Sequence, residues 1–595
     1  MSPAATRPPA AARSAGAPRV AVIERRGKFL VAEPFFGSGP RLAVSRDRGV
    51  NVGDLVVVNA GVGRNGRRGG RATIARRIGR PDVARDVIEA LMIDRGLRRS
   101  FDPAVEREAR EAAASGSEHS SAGRRDLRSM PTFTIDPVSA RDFDDAISAE
   151  REGEEAWRIW VHIADVSAFV EPRGLVDREA YRRGTSVYVP GSVEPMLPEA
   201  LSNNACSLVP GQDRLAVTVE MRIDRDRVTS SAFHRSLIRS DERLDYDRVD
   251  RIFSGAERAS EPWGEPLATA RAAAAGLAAR RAARAAITLE SSEPDFSFDD
   301  EGHLIGAEEI AQTEAHRLIE HLMIAANEQV AGLLETRKVP TLYRVHEPPD
   351  GAAAERLVAQ LASLGVPTPP VPRNAITQQQ AAEIIGEASQ LVEQWVSTRG
   401  HGRRALTSLV LRSLRQAYYD NRNLGHAGLQ SPRYCHFTSP IRRYPDLICH
   451  RALLSTMTGD VPAPEASFVA GAGPITSARE REAMQTERSA DDIALCFLLE
   501  RELAASGWET EFDGEVVGLV GSGAFVAFGP ELTFEGMLPV RRMRGDWWEL
   551  NEEGTMLIGA HSGNALRLGD PVRVRVGGIE APRGRVDLLP PPEED

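Results

Sequence analysis

Short apolar runs separated by Gly, Asn and Asp begin at residue 19: Arg19–Ile23, Phe29–Val31, Arg41–Val44 and Asp54–Val58. Runs of that length and spacing predict a small β-barrel. Between Asp82 and Ala114 the period changes. Val83, Val87, Ala90 and Leu91 recur at helical spacing, and the polar stretch Ser115–Ser121 closes the segment as a linker. From about residue 128 the pattern lengthens into an α/β body. Trp157–Val166 and Thr185–Val189 read as strands, while Leu267–Ala286, Ala311–Glu335, Ala381–Val396 and Leu406–Tyr419 read as helices around them. The last runs, Gly514–Val517, Gly523–Phe528, Gly536–Leu538, Pro571–Val576 and Gly584–Leu588, have glycine at their corners and predict a five-stranded OB-type barrel. Within it Phe525 and Phe528 fall on opposite faces of one strand, so one is available as a surface base-stacking platform and the other belongs to the core. The expected fold class is multidomain α+β: tail 1–18, barrel 19–80, helical linker 81–127, α/β body 128–503 and barrel 510–590.

Composition narrows the classes. At 595 residues the chain exceeds one hydrophobic core and suggests about four units. Its 42% hydrophobic and 27% charged residues are ordinary for a soluble globular protein, and no apolar run is long enough to span a membrane. Met1–Ala17 is rich in Pro and Ala without an apolar stretch, so it reads as a disordered tail and not as a signal peptide, and a cytoplasmic protein is expected. Cys206, Cys435, Cys449 and Cys496 are far apart with no C-x-x-C pair, which leaves them as reduced core residues. A net charge of −11 excludes nucleic-acid binding by the whole surface. Local patches remain, above all Arg64–Arg80, which holds seven arginines and no acid.

The densest chemistry lies in Thr134–Ala146, where Asp136, Asp142, Asp144 and Asp145 fall within ten residues. Four carboxylates that close raise one another's pKa values unless a cation takes up the charge. An all-oxygen, all-acid donor set favours a hard ion, Mg²⁺ or Mn²⁺, over zinc. The alternative is a solvated acidic loop, against which stand the apolar residues on both sides. Asp165, in His162-Ile-Ala-Asp165, is a candidate fifth acid.

This D-x5-D-x-D-D stretch resembles the signature of the ribonuclease II and ribonuclease R (RNB) family. Further stretches match in the same order: His162–Ser167, Thr185–Pro190, Pro195–Ser202, His316–Glu320 with Met323–Asn327, and Phe437–Asp446. The resemblance implies an N-terminal cold-shock-like OB barrel, a central RNB catalytic domain and a C-terminal S1-type OB barrel. It implies a monomeric, metal-dependent exoribonuclease that degrades single-stranded RNA from the 3′ end to nucleoside 5′-monophosphates. By the same resemblance Asp136, Asp142, Asp144 and Asp145 hold Mg²⁺ (or Mn²⁺), and Asp142, Asp144, Arg442 and Glu487 are catalytic. Tyr188 stacks on the 3′-terminal base, Glu320 contacts ribose, and Ser439 and Arg443 contact RNA. Leu289 stands where the family has a second stacking aromatic. The chain ahead of the catalytic domain accommodates about one barrel instead of two, so weak action on stable duplexes is expected. Two other readings carry the same residues: an RNA-binding regulator that keeps the fold without activity, and a nuclease for single-stranded DNA.

Overall fold

The computed structural model describes residues 19–37, 39–45, 49–59, 72–97, 100–119, 123–283, 293–457, 459, 461–543 and 545–592. The expected tail, residues 64–71 of the basic segment and Leu289 lie outside the described residues.

The first strands are Arg19–Arg26, Phe29–Pro34, Leu42–Val44, Leu55–Asn59 and Thr73–Gly79, hydrogen-bonded in the order third, second, first, fourth, fifth. A bridge from Val44 to Ala72 links the third strand to the residue that leads into the fifth. Ala21, Ile23, Ala32, Val44, Val56 and Val58 fill the interior. The stretch expected to be helical is two helices, Ala84–Asp94 and Pro103–His119. They are separated at Gly96, whose φ of +81° suits only glycine without strain.

The central body is built on a seven-stranded sheet. Phe133–Asp136, Asp145–Arg151, Ala156–Ala164, Asp213–Asp224 and Arg227–Arg239 run across it in that order. Alternation along these strands sends side chains to two different cores. Ile147, Ile159, Val161, Val217 and Val219 pack under helices Gly264–Ala283 and Glu314–Arg337, while Ala146, Ala164 and Ala216 pack with Phe143, Leu208 and Ile441 on the other side. A buried polar ladder crosses the sheet. Thr132 and Ser148 hydroxyls pair at 2.7 Å, Ser148 meets His162 Nε2 at 3.1 Å, and His162 Nδ1 meets Thr218 at 2.8 Å. Burial pushes His162 down to about pKa 3, so this motif histidine is a neutral strut.

Helices Gln378–Arg399 and Arg403–Ser413 follow, then Tyr444–Met457 and the long helix Ala466–Ser506. The helix expected over Leu406–Tyr419 stops at Ser413, because Tyr418–Asp420 leaves to pair with Tyr343–Val345. The chain ends in a closed barrel of five strands in the same circular order as the first. There Phe528 is fully buried and Phe525 is 37% exposed, the split that strand alternation requires. A three-stranded sheet, Trp548–Leu550, Met556–Gly559 and Ala565–Arg567, is inserted in this barrel and was not anticipated, since its strands are only three or four residues long. All four cysteines are free and buried. Among the described residues no helix is long and apolar enough to cross a membrane.

Candidate active site

Two antiparallel neighbours define the site. Phe133–Asp136 ends in one acid and Asp145–Arg151 begins with another, and Phe133 pairs with Ile147, so the connecting loop leaves and returns at adjacent strand ends. The loop is held on both sides. Arg243 Nη2 donates to the carbonyls of Pro137 (2.8 Å) and Val138 (2.7 Å), and its guanidinium lies 5.2 Å from the Phe143 ring centre. Ala164 N donates to the Asp144 carbonyl at 2.9 Å, and Ile441 N donates to Asp144 Oδ1 at 2.8 Å.

Asp136, Asp144 and Asp145 each retain one buried carboxylate oxygen without a hydrogen-bond donor. Burial raises all three: Asp136 and Asp144 go well above the usual carboxylate range, and Asp145 rises to about 6. For Asp136 the charge of Asp145 adds to the burial effect. For Asp144 the opposing attraction of Arg442 does not outweigh burial. Donor-less buried carboxylate oxygens are costly in a protein left to itself and fit a nearby cation. Among the described residues no three acidic, His or Cys side chains gather closely enough to hold an ion alone. That suits Mg²⁺, which keeps several waters and is commonly bound by one or two carboxylates together with a substrate phosphate.

The turn Ser439–Arg443 faces these acids. Arg442 Nε lies 3.8 Å from Asp144 Oδ2 with 44% of its side chain exposed, and its carbonyl accepts from Ser186 N (2.8 Å) and Thr185 Oγ1 (3.1 Å). Arg443 is paired, and its charge also acts on Asp145. Its Nη2 donates to Asp446 Oδ1 at 2.8 Å, and that buried carboxylate also accepts from Ser439 N at 2.8 Å. Asp446 thus takes the Ser439 amide and one nitrogen of Arg443, and both bonds support the turn.

Tyr188, Asp142 and Glu487 come together. Tyr188 Oη donates to Asp142 Oδ2 at 3.2 Å, its backbone N–H donates to Glu487 Oε1 at 2.9 Å, and the residue is 40% exposed. Glu320 is exposed on helix Glu314–Arg337, one turn beyond His316. The His316 ring stacks on Tyr246 at 3.7 Å, and the Tyr246 phenol is held neutral by burial and by the charges of Asp145 and Asp136. Tyr246 is a site residue that sequence reasoning missed. Nothing local marks it, and it arrives only because Glu242–Asp245 pairs parallel to Phe133–Asp136 with Asp245 opposite Asp136. Asp165 is not a fifth ligand. Burial alone would raise its pKa, but Arg124 Nη2 at 2.5 Å and Arg235 Nη2 at 3.2 Å pull it down to about 2.

Comparison with known proteins agrees with this geometry. The RNB domain family matches residues 124–459. Ribonuclease R of Escherichia coli is 36% identical over 79% of this chain and 58% of its own length, and that of Thermotoga maritima is 35% identical over 82% of this chain and 68% of its own. The chain thus spans well under two thirds of the E. coli relative. Among solved structures, the apo form of Mycoplasma genitalium RNase R has a TM-score of 0.84 at 25% identity, covering 97% of this chain and 90% of that one. Yeast Ssd1, a pseudonuclease, has a TM-score of 0.64 at 18% identity, covering 92% of this chain and 68% of that one, a likeness of fold alone. With more than half of its length matched by one domain family, the chain belongs to the RNB-domain family.

Proposed function

We propose that this chain is a hydrolytic 3′-to-5′ exoribonuclease that releases nucleoside 5′-monophosphates from single-stranded RNA. The observation that carries the reading is the set of donor-less oxygens on Asp136, Asp144 and Asp145, with the half-exposed guanidinium of Arg442 3.8 Å from Asp144. Asp136, Asp142, Asp144 and Asp145 would hold Mg²⁺, which would supply an acidified water and neutralise charge on the scissile phosphate. Arg442 offers a planar fork to the phosphate oxygens. Tyr188 presents a ring on which the terminal base stacks, Asp142 fixes its hydroxyl, and Glu487 fixes its backbone. Glu320 lies on the helix whose first turn carries His316, in reach of a ribose 2′-OH that distinguishes RNA from DNA. The two barrels serve as cold-shock-like and S1-type OB modules that deliver the strand, with Phe525 as a stacking surface. RNA complexes of Mycoplasma genitalium RNase R, one single-stranded and one double-stranded, support RNA as the partner.

A 5′-labelled oligoribonucleotide tests the reading. Mg²⁺ should convert it to a ladder shortening from the 3′ end with mononucleotide release, and EDTA or Asp144→Asn should stop it. Retention of RNA without release, identical in wild type and Asp144→Asn, would instead identify a non-catalytic RNA-binding regulator on a fold shared with yeast Ssd1, a pseudonuclease. Equal digestion of a DNA oligomer of the same sequence would overturn the RNA assignment.

A further inference from the structure

The loop between Asp136 and Asp145 has no sheet partner of its own for most of its length, yet it must present Asp142 and Asp144 together. At its centre the bracing comes from one hydroxyl. Ser207 Oγ donates to the Arg141 carbonyl at 2.8 Å and accepts from Phe143 N at 3.0 Å. The carbonyl before Asp142 and the amide after it are therefore bound to the same oxygen. Leu208 N adds a bond to the Phe143 carbonyl at 3.0 Å. The backbone at Asp142 is clamped on both sides, which fixes the direction in which its Cα–Cβ bond leaves the chain. Asp144 follows two residues on, with its own carbonyl held by Ala164.

Ser207 is carried there by an unusual segment. Ala200–Ala205 is a π-type turn, and Cys206 N reaches back to the Leu201 carbonyl at 2.9 Å, a five-residue step. Leu201, Cys206 and Leu208 are all buried in the core that also holds Phe143, so Ser207 sits between anchors and is itself fully buried. Its donor and one acceptor position are both spent on loop backbone. None of its hydrogen bonds goes to a carboxylate.

We infer that Ser207 is a positioning residue for the metal site, acting through Asp142 and Asp144 by locking the loop that bears them. The inference rests on the metal-binding reading above. Partners in the shell around metal ligands that are removed commonly weaken metal affinity by about 10–100-fold.

The test uses the full chain and two variants. Ser207→Ala removes both bonds. Ser207→Cys keeps volume and a weak S–H donor, and carries the test if the alanine variant does not fold. Mn²⁺ binding is measured by calorimetry, alongside the Mg²⁺ concentration for half-maximal mononucleotide release, the melting temperature, and RNA affinity in EDTA. Ser207→Ala should weaken Mn²⁺ binding and raise the Mg²⁺ requirement by about 10–100-fold, with the cysteine variant intermediate and RNA affinity in EDTA unchanged. A merely structural serine predicts a lower melting temperature with wild-type Mn²⁺ affinity, and that result in either folded variant overturns the assignment. Absence of Mn²⁺ binding in wild type and Asp144→Asn alike would sink the metal site itself, and Ser207 with it.

Discussion

Asp144 and Asp165 are both buried, but Asp144 keeps one oxygen without a donor while Asp165 accepts from Arg124, Arg235 and Ser167. Their replacement by asparagine therefore has opposite consequences. Asp165→Asn leaves the almost fully buried Arg124 guanidinium without its counter-charge, which costs roughly 3–5 kcal/mol. Calorimetry should show a large fall in melting temperature with no change in the Mg²⁺ requirement of whatever remains folded. The pH dependence has a definite sign. With its folded pKa at about 2, below the ordinary 3.8, Asp165 contributes stability that is present above about pH 4 and lost as pH falls through 2. Asp144 is the reverse case. Its raised pKa means that ionisation costs stability as pH climbs out of the ordinary carboxylate range. In EDTA at pH 8, Asp144→Asn should melt no lower than wild type, while with Mg²⁺ restored its mononucleotide release should be at least about 10²-fold lower. A clear loss of stability in that variant would contradict the donor-less geometry.

The turn Ser439–Arg443 shows the same logic at the scale of an element. Helix Tyr444–Met457 begins at once after it, and Asp446 in its first turn caps the turn by taking Ser439 N and Arg443 Nη2. That leaves Arg442 to face Asp144. Arg442→Ala should lower the rate by about 10²–10³-fold with an unchanged melting temperature. Arg443→Ala should lower the melting temperature, because Asp446 stays buried without its cation, and activity should fall only as the turn loosens. Equal rate losses at equal stability in both variants would refute this division. Sequence spacing exposed the acidic loop and most helices, because burial on one face leaves a period behind. It could not say which arginine pairs with Asp446, nor bring Tyr246 to Asp136. The first is settled by the geometry of a turn within three residues, and the second by register between strands far apart in the chain. The end of the Arg403–Ser413 helix was hidden for a related reason: Tyr418–Asp420 is claimed by a distant strand.

Across the whole molecule a single apolar core ties the ends together. Leu55 of the first barrel, Leu91, Leu406, Leu499, Leu503, and Val516, Phe528 and Leu588 of the last barrel belong to one continuous buried cluster. Polar contacts accompany it. Gly402 N donates to the buried Glu515 Oε2 at 2.7 Å, His401 Nδ1 lies 2.7 Å from the Gly569 carbonyl, and Ser363 and Thr555 hydroxyls pair at 2.7 Å. Two glycines also meet at this junction. A Cβ on Gly569, at φ +82°, would stand 3.0 Å from Gly402 Cα, so a side chain there strains the backbone and pushes the barrel off the helix. The last barrel is thus a structural member of the body. Ending the chain at Gly507 uncovers Leu406, Leu499 and Leu503, each worth about 2 kcal/mol of lost burial. The shortened protein should then melt far below the full chain and aggregate, instead of surviving as a nuclease of lower RNA affinity. Gly569→Val should reproduce part of that loss with every other side chain intact. Scanning calorimetry of the full chain should accordingly give the body and the last barrel one shared transition. Two separate transitions, with the lower one alone moved by Gly569→Val, would show that the barrel is an independent module.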